Sequence, residues 1–100
     1  MKRGRRAESF KRIYGSLARV RWVASLPCAL CGGRPSENAH VRGGGMGRKA
    51  DASLIVPLCA ACHRLLHRIG RRNLEARFGV DLSLLAARIA ARWDALSSPS

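Results

Sequence analysis

Apolar residues recur along the chain in short patterned stretches, and the period of each stretch predicts its element. Between Ala7 and Ser25, the residues Phe10, Ile13, Tyr14, Leu17 and Val20 fall at helical spacing, with Arg12 and Arg19 elsewhere on the wheel, and Pro27 ends the run. The segment "CALCGGRPSE" reads as a tight knuckle of two cysteines, a glycine pair and a proline. "NAHVR" predicts a short strand, "GGGMGRKADAS" a glycine-rich loop, and "LIVPL" a second, apolar strand. A helix is expected from about Ala60 to Arg71. A last helix, from about Leu82 to Leu96, places Leu82, Leu85, Ile89, Trp93 and Leu96 on one face behind an N-capping Asp81. The expected order is helix, knuckle, strand, loop, strand, helix, helix.

One hundred residues make a single small domain. A core of this size is often supplemented by a metal or a partner. Residues 1–6 read as a flexible basic tail, 7–96 as the domain, and 97–100 as a disordered tail.

Charge changes the picture most. Nineteen Lys and Arg face six Asp and Glu, a net of +13, and sixteen of the cations are arginine. The guanidinium fork matches phosphate oxygens, so the balance points to a nucleic-acid partner. Residues 1–50 carry a net of +10 and residues 51–100 only +3, which makes the front half the expected phosphate-facing surface. Arg12, Arg19 and Arg21 are placed to track a backbone there, whereas Phe10, Ile13, Leu17, Trp22 and Trp93 are read as packing residues. No stretch reaches the roughly 18 apolar residues of a membrane span, and no signal-peptide core follows "MKRGRR". The expected location is the cytoplasm, with no membrane partner.

Cys28-Ala-Leu-Cys31 and Cys59-Ala-Ala-Cys62 are two CxxC pairs separated by 27 residues. Two such knuckles complete a thiolate tetrahedron, for which zinc is the favoured occupant. Disulfides are disfavoured without an export signal, and a redox CxxC lacks its βαβ context. The zinc would staple the domain.

That leaves three histidines. His63 and His67 stand four apart on a predicted helix, so both imidazoles share a face and could chelate one ion. His40 comes from a strand before the glycine loop. A neutral imidazole beside a bound divalent cation can take a proton from water while the cation stabilises a departing oxygen. With the basic charge, this suggests phosphodiester hydrolysis. Other readings stay open on the residues alone: a solvated His pair, a structural His40, or a zinc site that exchanges one Cys for His63 or His67.

The stretch "CALC … AHVRGGGMGRKAD … LIVPLCAACHRLLH" resembles the HNH, or His-Me finger, endonucleases, in particular phage and prophage recombination nucleases with a four-cysteine zinc. The resemblance implies an α+β fold: a small zinc-stapled ββα-metal domain, its core at about 28–70, with flanking N- and C-terminal helices. It implies a metal-dependent DNA endonuclease, nicking or cutting both strands. His40 would be the general base. His63, in the catalytic set, and His67 would hold a catalytic Mg2+ or Mn2+; Cys28, Cys31, Cys59 and Cys62 would hold the structural zinc. DNA contacts fall to Arg42, Arg48, Lys49 and Arg68, through the backbone with weak sequence preference. A phage recombination or packaging protein is a further expected partner, and a bacterial host cell the setting. The sequence departs from the pattern in two places. Ala39 stands where many members carry a metal-ligating Asp or His, and the motif's middle Asn is missing, with Asp51 or Ser53 as substitutes. The competing readings are a non-catalytic four-cysteine module that binds nucleic acid and an adaptor in a recombination or packaging complex.

Overall fold

The computed structural model describes residues 9–41 and 51–97. It is a small α+β fold, a two-stranded sheet enclosed by helices. Helix α1 covers residues 9–14, followed by α2 (Leu17–Ser25), β1 (Ser36–His40), a 3-10 turn (Ala52–Leu54), β2 (Ile55–Cys59), α3 (Ala60–Ile69), α4 (Arg71–Phe78) and α5 (Leu82–Ser97).

The strands pair antiparallel, in a register running from Ser36 opposite Cys59 to His40 opposite Ile55. Just past β1, the Val41 amide donates to the Leu54 carbonyl at 2.7 Å, so pairing persists to the start of the connecting loop. β2 is buried from Ile55 to Leu58, because helices cover both of its faces. Ile55 packs with Val23 of α2 and Ile89 of α5. Val56 and Leu58 join Ala39, Val41, Leu66, Leu74, Leu82 and Ala86 in the larger core.

The single helix expected over Ala7–Ser25 is two helices. Gly15 adopts φ +90°, a left-handed conformation that breaks the turn. Ser16 then caps α2 by accepting from the Arg19 amide at 3.1 Å. The break turns Arg19 inward. It is 6 % exposed, its side chain lying against Gly15, and its Nε and Nη2 find no hydrogen-bond partner among the described residues. Burial lowers its pKa, opposed by the Asp94 and Asp51 carboxylates. Arg19 therefore does not belong to the expected phosphate-facing row. Leu17, read as a packing residue, is 54 % exposed.

At the other end, Gly70 at φ +84° stops α3 and α4 begins at once, an element absent from the expected order. α4 contributes one buried side chain, Leu74, which is too sparse a pattern to announce a helix. The Asp81 cap of α5 forms as expected, its carboxylate accepting from the Leu84 amide at 3.1 Å. The buried face of α5 is Leu82, Ala86 and Ile89, while Leu96 is 66 % exposed. α5 also runs through Ser97, one residue into the expected tail. Residues 1–6 and 98–100 of the expected tails lie outside the described residues. No helix among the described residues is long and apolar enough to cross a membrane.

Among the described glycines, Gly15 is the one where an added Cβ would meet an atom closer than 3.0 Å. A Cβ there would meet Arg19 Cδ at 2.8 Å, in addition to the left-handed cost of about 1–2 kcal/mol. Gly15→Ala should lower Tm by about 4–8 °C per kcal/mol lost in a chain of this size; thermal unfolding followed by circular dichroism checks it, and an unchanged Tm would contradict the assigned break.

Candidate metal centre and histidine cleft

The two CxxC pairs close at the open end of the hairpin. In the first knuckle the Gly32 amide donates to the Cys28 carbonyl at 2.8 Å and the Cys28 amide to the Gly33 carbonyl at 2.9 Å. The Ala29 amide pins this turn to β2 through the Pro57 carbonyl, also at 2.9 Å. In the second knuckle Cys59 ends β2 and is the N-cap of α3, its sulfur accepting from the Cys62 amide at 3.5 Å. All four sulfurs lie within 4.8 Å of one another. Cys31 Sγ and Cys59 Sγ are 3.6 Å apart, far beyond a disulfide bond and close to the edge, about 3.8 Å, of a tetrahedron with Zn–S near 2.3 Å. The cysteines are free thiols. Four soft donors so spaced could hold one metal ion such as zinc.

The thiols do not share one environment. Burial pushes Cys28 up, but hydrogen bonds from the backbone at Cys59, Cys31 and Leu30 outweigh it and bring its pKa down to about 6. Cys31 receives the Gly33 amide, which favours the thiolate, yet its contacts with Cys59 and Cys28 leave it raised. Cys62 is raised by burial and by the three neighbouring sulfurs. Sulfurs gathered this tightly cannot all ionise without a cation among them. Metal uptake must therefore expel protons, and it should weaken as pH falls.

The histidines gather around a different feature, a cleft of about 600 Å3 lined by Tyr14, Asn38, His40, Val41, His63, Leu66, His67 and Arg71. β1 carries Asn38 and His40 into it, and α3 carries His63 and His67 one turn apart. The two α3 rings are tilted, with centroids 5.0 Å apart. The Nε2 of His40 meets the Ile13 carbonyl at 2.8 Å. A carbonyl only accepts, so Nε2 carries a proton, and in the neutral ring Nδ1 holds the lone pair. Ile13 lies in the last turn of α1, where helix carbonyls lack intrahelical partners; His40 supplies one. Tyr14 meets the same imidazole edge-on at 5.2 Å. His63 Nδ1 lies 2.7 Å from Glu37 Oε1, which fixes that ring the other way round, with Nε2 free to bind.

The expected histidines thus share one cleft, separate from the sulfurs. They are not a tight donor cluster. Among the described residues, the cysteines are the only group of three or more Cys, His, Asp and Glu whose donor atoms all lie within 4.8 Å. Ala39, at the position where the resemblance implies a further ligand, is fully buried. Asp51 braces the turn ahead of β2, its Oδ1 accepting from the Ser53 amide at 2.8 Å and the Ser53 hydroxyl at 2.7 Å. Those bonds, with Arg19 and His40 nearby, hold its pKa below the usual carboxylate value. Arg68 is exposed in the last turn of α3. Arg42, Arg48 and Lys49 lie outside the described residues.

Three contacts escape sequence reading: Ile13 to His40, Glu37 to His63, and the Asn38 amide, which donates to the Val20 carbonyl at 3.0 Å. For Glu37 there was a signal, an acid three residues before His40 in an acid-poor half. The other two depend on α1 and α2 folding back over β1.

With fold and site in view, comparison places the chain in a family. The family described as "Protein of unknown function (DUF968)" matches residues 8–94, and the chain belongs to it. It is 38 % identical over 69 residues to "Uncharacterized protein YdfU" of Escherichia coli (strain K12). That match covers 66 % of this chain and 20 % of the relative, so the chain corresponds to about a fifth of that protein's length. No solved structure matches it.

Elemental analysis of purified protein should find one zinc per chain, and Cys62→Ser should lose the metal together with cooperative unfolding. Structural zinc contributes about 10–16 kcal/mol of binding free energy in small domains, more than a fold this size has to spare. A zinc-free protein that melts cooperatively would contradict the assignment.

Proposed function

We propose that the protein is a metal-dependent endonuclease of the His-Me finger class, of the type found in phages and prophages, acting on DNA. The observation that carries this reading is the meeting of His40, His63 and His67 in one cleft beside a separate four-sulfur cluster. The cluster takes the structural zinc, and β1, β2 and α3 form the ββα-metal unit. α1 and α2 precede it, and α4 and α5 follow.

His40 acts as the general base. Its Nδ1 accepts a proton from water, while the Ile13 carbonyl, hydrogen-bonded to Nε2–H, steadies the imidazolium that forms. His63 offers Nε2, and His67 stands one turn further along to share the ion. A Mg2+ or Mn2+ held there supplies charge that stabilises the departing oxygen of the phosphodiester. Two protein donors would leave the rest of the ion's shell to phosphate and water, which Mg2+ ordinarily retains. Arg68, at the C-terminal end of α3, and the net charge of +13 supply the sequence-independent attraction to the DNA backbone. Arg42, Arg48 and Lys49 add to it from the glycine-rich connection.

A supercoiled-plasmid assay tests the reading. Wild type should nick in Mg2+ or Mn2+, and His40→Ala with its zinc retained should lose about 10²–10⁴-fold of the rate. Tight DNA binding with no cleavage by wild type in either ion would instead identify a non-catalytic zinc module.

A further inference from the structure

A cleft metal bound by two imidazoles has little to hold it, and Ala39 adds no donor. Its affinity then depends on how well those imidazoles are oriented before the ion arrives. Glu37 bears directly on this. In the strand register it lies opposite Leu58, beside Cys59 and the start of α3, so its side chain reaches the first turns of that helix. Its Oε1 stands 2.7 Å from His63 Nδ1.

We infer that Glu37 is a positioning residue for His63: its carboxylate holds the proton on Nδ1 and turns Nε2 into the cleft as the metal-binding nitrogen. This rests on the nuclease reading of the cleft and adds to it a residue outside the expected set.

The chemistry runs one way. An ionised carboxylate only accepts, so Nδ1 must donate, and in the neutral ring Nε2 keeps the lone pair. A carboxylate behind an imidazole also raises the basicity of the opposite nitrogen and fixes the plane of the ring. The pair has little structural worth of its own. The side chains are 53 % and 23 % exposed, and ion pairs open to water contribute little to stability. The Glu37 carboxylate makes no other hydrogen bond among the described residues, so its effect should be read on His63 rather than on folding.

The test uses the full zinc-loaded chain at about pH 8, above the reference range of a free imidazole. Imidazole 15N spectra without added divalent ion read the His63 tautomer, and Mn2+ electron paramagnetic resonance reads affinity at the cleft. Mn2+ is a harder ion than zinc and leaves the thiolate site to it. Wild type should show His63 with its proton on Nδ1. Glu37→Ala should shift it towards Nε2–H and weaken Mn2+ binding by about 10–100-fold. Glu37→Gln, whose amide oxygen still accepts from Nδ1–H, should keep the wild-type tautomer and most of the affinity. Wild-type tautomer and affinity in Glu37→Ala would overturn the inference, as would equal loss of affinity in Gln and Ala variants, which would make the carboxylate's charge or direct ligation the operative feature. Wild type that keeps the Nδ1–H tautomer but takes up no Mn2+ would overturn the metal reading of the cleft, and the positioning role with it.

Discussion

Four sulfurs within 4.8 Å of one another are the constraint on which the arrangement depends. A two-stranded ribbon is marginal by itself. Here its open end is clamped, because Cys28 and Cys31 lie just ahead of β1 while Cys59 and Cys62 join β2 to α3. The clamp also sets the angle at which α3 leaves the sheet, since Cys59 ends the strand and caps the helix. His63 and His67 follow on that helix, and their position relative to His40 is therefore inherited from the sulfur cluster. A cation among the sulfurs would offset the burial and the sulfur contacts that raise Cys62 and the contacts that raise Cys31, so metal and fold would support each other.

The opposite wall of the cleft is set by the N-terminal helices. Gly15 breaks the chain so that the last turn of α1 faces β1, where the Ile13 carbonyl meets His40 and Tyr14 lies across its edge. α2 adds the Val20 carbonyl, which fixes Asn38. The Ile13 carbonyl of α1 and the Glu37 carboxylate of β1 thus orient two imidazoles in opposite senses, one presenting Nδ1 and the other Nε2.

Much of this was legible in the sequence, and what was not has physical reasons. The CxxC pairs and the four-residue step from His63 to His67 are local patterns with few geometric solutions. The strands and α5 followed from apolar periodicity, and the Asp81 cap from its residue type. The helix break at Gly15 was missed because Phe10, Ile13, Tyr14, Leu17 and Val20 keep a helical period across it. The period carries no information on a single residue's φ. Arg19 was read as a surface cation because burial of a guanidinium depends on tertiary packing, here of α2 near Asp51 and Asp94. α4 was missed because one buried leucine between two glycines gives no period to detect. Glu37 was passed over because its partner lies 26 residues away, on a different element.

If sulfur alone holds the staple, all three histidines are left to the cleft. X-ray absorption at the zinc K-edge measures that condition most directly. The account predicts a shell of four sulfurs at about 2.3 Å with no lighter neighbour. A nitrogen at about 2.0–2.1 Å in that shell would place His63 or His67 on the zinc, and would contradict it.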